Sequence, residues 1–169
     1  MVTIGTDDVI GQIADITPGS RADRARRQKP ELISGAQDYY AATIAPAEPG
    51  GLSLVERALI AYRVARLAPQ PDVAAFYLDR LRELGVDDAL VDAVARFPQG
   101  DGVDARFAAI LRHVDRNTMT PREATPAHLE QLGEAGLGPF EIVALSQVIA
   151  FVSYQARLVA TLKALEAAS

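Results

Sequence analysis

The sequence predicts an all-α protein, and three observations predict it. Alanine is abundant and β-branched runs are short, which favours helix over strand. No apolar–polar alternation lasts more than a few residues, while apolar residues recur at helical spacing. Capping residues, prolines and glycines stand where a succession of helices would start and stop.

The elements follow in chain order. Thr6 is placed to cap a short helix through Ala14, with Asp7 and Asp8 at its positive end. Arg21 to Lys29 is a basic stretch without interleaved aromatics, which reads as a solvated helix face or a partner for neighbouring acids. Glu31 to Ile44 forms the next helix, with Tyr39 and Tyr40 near its end. Ala45 to Gly51, rich in Pro and Gly, then breaks the chain. Residues 1–50 are therefore expected to be a helical arm and residues 51–169 the main domain. Ser53-Leu54-Val55-Glu56 is a capping box that opens a helix to about Leu67, striped by Leu59, Ile60, Arg63, Val64 and Leu67. Pro71 starts a helix that Gly85 stops. Asp87 or Asp88 caps another ending near Phe97, and Asp104 to Thr118 is a further helix closed by Pro121. Thr125-Pro126 restarts helix, Gly136 stops it, and Pro139 to about Ala167 is the last and longest. Leu81 to Val86 echoes Leu132 to Leu137, either as shared stop chemistry or as a duplicated hairpin.

Composition bounds the chemistry. At 169 residues the chain fits one domain with an extra arm, and its 49% apolar content suffices for a packed core. The absence of cysteine excludes disulfides, zinc ribbons, iron–sulfur ligation and every thiol mechanism. Two separated histidines, His113 and His128, are a poor start for a metal site, so no metal or cofactor is expected. A net charge of −5 argues against nucleic acid as partner. The uncharged run Ile142 to Ala156 is shorter than the roughly 20 residues that span a bilayer, and the N-terminus carries no secretory pattern. A soluble, cytoplasmic protein with no membrane partner is expected.

Two stretches, Leu52 to Gly85 and Met119 to Leu165, together resemble the carboxymuconolactone decarboxylase and alkylhydroperoxidase D (AhpD-like) superfamily. The resemblance covers the chain from Leu52 onward, and residues before it look like the N-terminal extension of a cysteine-less subgroup. It implies an AhpD-like helical domain of six to eight helices plus the arm. In the peroxidase branch a helix glutamate precedes Cys-x-x-Cys, and a histidine follows one turn later to relay the thiol proton. Carried over by position, the glutamate falls on Ala58, the cysteines on Gln70 and Val73 with Asp72 between them, and the histidine on Tyr77. Every core position is lost, so thiol peroxidase activity is not expected. The family's asparagines before an arginine of the last helix fall on Ser153 and Ala156, while Arg157 stays.

Residues left to carry chemistry are Glu56, Tyr62, Arg63, Tyr77 and His113. Four of them have a plainer structural reading: capping-box acid for Glu56, core or interface for the two tyrosines, a satisfied or surface imidazole for His113. His128 reads as structural or solvated, and Arg157 as a structural or subunit-interface ion-pair residue rather than a substrate anchor. The leading expectation is a non-peroxidatic structural or binding subunit of a homo-oligomer, with a paralogous cysteine-bearing AhpD-like subunit or a small-molecule ligand as further partners. The alternative is a cofactor-free lyase or isomerase acting on a small carboxylated substrate. It requires a partly polar pocket near Tyr77 with an arginine pointing in. The arm has too few apolar residues to fold alone and is expected to wrap a neighbour.

Overall fold

Helix α4 (Leu54–Leu67) is the axis of the computed structural model, which describes residues 8–168. Its capping box forms as the sequence dictates: Ser53 Oγ accepts from the Glu56 amide, and the Glu56 carboxylate accepts from the Ser53 amide at 2.8 Å. Nine of its residues, Arg57 through Ala65, are buried, because α5 (Pro71–Glu83), α6 (Asp88–Ala95), α7 (Ala105–Met119) and α9 (Pro139–Ala167) all pack around it. With α1 (Val9–Ile13), α2 (Arg21–Arg26), α3 (Pro30–Thr43) and α8 (Pro126–Glu134), the described residues form nine α-helices and no strand.

Two buried arginines fasten α4 to its surroundings. Arg57 donates to the carbonyls of Thr43, Pro49 and Leu52 at 2.8–3.0 Å, satisfying the loop that follows α3. Burial lowers its pKa, and no carboxylate is needed because three carbonyls share its charge. Arg63 grips Asp115 of α7 with two hydrogen bonds (2.7 and 2.8 Å) and donates to the carbonyls of Val94, Ala95 and Phe97 at the end of α6. One side chain thereby joins three helices and satisfies carbonyls that a helix C-terminus leaves open.

The echoed segments share one stop. Val86 N–H donates to the Leu81 carbonyl and Leu137 N–H to the Leu132 carbonyl, each across a glycine of positive φ (Gly85 +69°, Gly136 +87°). Both are the six-to-one closure that left-handed glycine permits. Leu81 and Leu132, which begin the two turns, are both core residues.

Two details of the arm differ from the sequence reading. Thr6 lies outside the described residues, and Asp8 caps α1 through the Gly11 amide. The basic stretch contains a helix of its own, α2, which Ser20 caps through the Asp23 amide. Its charges meet acids: Arg26 pairs with Asp8, and Arg27 with Asp23. The arm lies on α9 and α5 of its own chain. Ile10 and Ala22 are fully buried, and Tyr39 and Tyr40 of α3 pack on Phe151 of α9 and Phe76 of α5. By length and composition α9 is long and apolar enough to cross a membrane, although the uncharged run within it is short. Half of its most apolar window is buried inside this chain, where it meets α2, α3, α4 and α5.

Candidate functional site

Helix α5 carries the positions that the resemblance singles out. Gln70 is its N-cap, and the Gln70 Oε1 accepts from the Asp72 amide at 3.3 Å. Asp72 turns away to pair with Lys163 of α9 at 2.7 Å. Val73 and Tyr77, one turn apart, point into the core and have no exposed surface. The Tyr77 hydroxyl donates to Gln155 Oε1 of α9 at 2.6 Å. Burial raises the Tyr77 pKa well above 10, so the phenol is neutral at any ordinary pH and reaches no solvent. Ala58 is buried on α4. The face that would hold thiol, acid and imidazole is thus packed hydrocarbon with one internal hydrogen bond.

Of that set, Gln70 alone lines a recess, while Asp72 is partly exposed on the surface. A cleft of about 360 Å³ lies beside it, between the α4–α5 turn, the end of α7 and the middle of α9. Leu67, Pro69, Met119 and Ala156 make it largely apolar. Ser153 lines it with its hydroxyl committed to the Ile149 carbonyl at 2.8 Å. Arg157 also lines it and has no ion pair among the described residues. Thr118 Oγ1 is buried there with no hydrogen-bond partner. An apolar slot with one unpaired, exposed guanidinium on its lining matches a small acid with an apolar body.

The remaining candidates are dispersed. Glu56 is the capping acid and also pairs with Arg106 of α7. Tyr62 borders a second recess of about 310 Å³ that Gln70 shares. Arg63 is committed to Asp115 and the α6 carbonyls, so it does not point toward Tyr77. His113 sits on α7, 5% exposed, and borders neither recess at Gln70. Burial, with the charges of Arg116 and His128 beside it, holds its pKa below the usual range. Sequence reasoning missed Gln155 and Thr118. The signal for Gln155 was a polar residue within the most apolar run of the chain; for Thr118 there was none.

No family model matches the chain, and no curated relative matches it. Solved structures do. An uncharacterized peroxidase-related protein from Silicibacter sp. TM1040 superposes with a TM-score of 0.72 at 20% identity, over 82% of this chain and 71% of that one. An alkylhydroperoxidase AhpD core, the uncharacterized peroxidase-related protein from Ralstonia eutropha JMP134, gives 0.68 at 21% identity, over 81% and 71%. At this identity the likeness is one of fold: the chain has the AhpD-like all-helical fold and builds it without a single cysteine.

Proposed function

We propose that the chain is a non-peroxidatic AhpD-like binding subunit that takes a small monocarboxylic acid with an apolar body, and that it works as a soluble, cytoplasmic homo-oligomer. One observation carries the ligand: the cleft at Gln70 is apolar, and the single guanidinium on its lining, Arg157, has no acid partner among the described residues. The resemblance supports the placement, since carried over by position it puts the reactive group of the peroxidase branch at the start of α5. Exposed Phe140, Val143 and Tyr154 along α9 support assembly, because a soluble monomer gains nothing by showing large apolar side chains on one helix.

Thermal melts with benzoate and with cyclohexanecarboxylate test the ligand. Stabilisation that grows with ligand concentration and disappears in R157A is the expected result. A flat response to both acids overturns it. Native mass spectrometry of protein from its own cells tests the assembly. Multiples of this chain alone are expected, while a monomer, or a mixed assembly with a cysteine-bearing paralogue, overturns the homo-oligomer. No thiol-dependent turnover of an organic hydroperoxide is expected.

A further inference from the structure

A further cleft, of about 500 Å³, lies between α7 and α8 and shares no lining residue with the recesses at Gln70. Arg112 and Arg116 stand one turn apart on α7, with His113 beside them, and α8 contributes His128, Gln131 and Glu134. Its lining is mainly polar, unlike the slot at Gln70.

Arg63, Arg80, Arg82, Arg96 and Arg106 each hold a carboxylate. Arg112 and Arg116 hold none among the described residues, although like charges at this helical spacing repel each other. Glu134, the one carboxylate on the lining, is exposed and bridges to neither.

The imidazole of His113 adds an independent observation. The Asn117 side-chain amide donates to His113 Nε2 at 2.9 Å, and again to the His113 carbonyl at 3.1 Å. A ring nitrogen that accepts leaves the proton of the neutral ring on the other nitrogen. That nitrogen, Nδ1, is buried and has no hydrogen-bond partner. A 95% buried side chain on the cleft therefore carries an N–H with nothing to receive it. His128 is differently engaged: its Nδ1 accepts from the Thr125 amide at 3.1 Å, fixing the ring at the start of α8.

We propose that the α7–α8 cleft binds the oxyanion of a small ligand, a carboxylate or a phosphate ester, with Arg112 and Arg116 as the charged clamp and His113 Nδ1–H as a neutral donor. Two guanidiniums offer paired N–H groups that match either oxyanion, and an acceptor at this place would satisfy the donor that His113 leaves open.

The chain has two histidines and both line this cleft, so the imidazole proton signals in NMR report on it directly. Inorganic phosphate and succinate are titrated separately into the full chain at constant ionic strength. A saturable shift of the histidine signals with at least one of them is expected, and the ligand that produces it identifies the source of the oxyanion. R112Q and R116Q, which alter partly or fully exposed side chains, should each weaken binding about tenfold or more. R157A should leave it unchanged, which separates this site from the cleft at Gln70. Absence of saturation with both ligands, or undiminished binding in both arginine variants, overturns the proposal.

Discussion

Tyr77 shows how one side chain can keep a fold and forgo a reaction. Its ring fills core volume, packing edge-on against Phe76, while its hydroxyl is held by Gln155. The amide nitrogen of Gln155 has no partner, so this buried pair is only half satisfied. Y77F removes the hydroxyl and leaves the whole Gln155 amide buried without a bond, at a cost of about 1–3 kcal/mol. Y77F/Q155L removes both partners and should recover most of that loss, since replacing both by apolar groups is nearly neutral. Urea unfolding of the two variants beside the parent chain checks this. A double variant no more stable than Y77F would show that the amide is not the source of the cost. The pH dependence has a definite sign. The folded phenol has a pKa raised by burial, so its contribution is complete below pH 10, where the unfolded tyrosine is also neutral. Stability then falls as pH rises and only the unfolded phenol ionises.

At the level of elements, the helices were written in local chemistry and the clefts were not. The capping box at Ser53, the proline starts at Pro71, Pro126 and Pro139, and the glycine stops at Gly85 and Gly136 are short-range signals, and the structure uses each as read. Helix α2 is harder to see because it is a single short turn-and-a-half whose signal, Ser20 three residues before Asp23, sits inside a run of charges. The site is different in kind. Gln70, Thr118 and Arg157 come from three helices distant in sequence, and nothing local in the chain announces that they meet. The same holds for Arg63 and Asp115, which are 52 residues apart. That pair joins α4 to α7 while the rest of the guanidinium closes α6. D115A leaves a buried arginine charge without its counter-ion, a loss of about 3 kcal/mol. Chemical unfolding should show that loss as a lower midpoint. A variant as stable as the parent would mean that the α6 carbonyls alone satisfy Arg63.

On the scale of the whole molecule, the arm and the end of α9 form one unit. The Glu166 carboxylate accepts from Ser20 Oγ at 2.8 Å and from the Ala22 amide, and these bonds lower its pKa. Arg21 reaches the Ala168 carbonyl beside it. E166A should therefore loosen residues 20–26 while α4 and α7 keep their protection. Amide hydrogen exchange, resolved by peptide, reads the difference. Uniform protection in E166A would show that Tyr39, Tyr40 and Ile10 hold the arm without this clasp.

That clasp also sets an order of events during synthesis. The residues that close it are 146 positions apart, and nearly everything the arm rests on belongs to α9. The arm leaves the ribosome long before its seat on α9 exists, because α4 to α8 are made in between. The arm must stay open until α9 has been made and has emerged. A long-range contact of this kind is slow to close. The nascent chain thus carries Ile10, Tyr39 and Tyr40 uncovered until α9 emerges, which makes this stretch the natural one for a chaperone to hold.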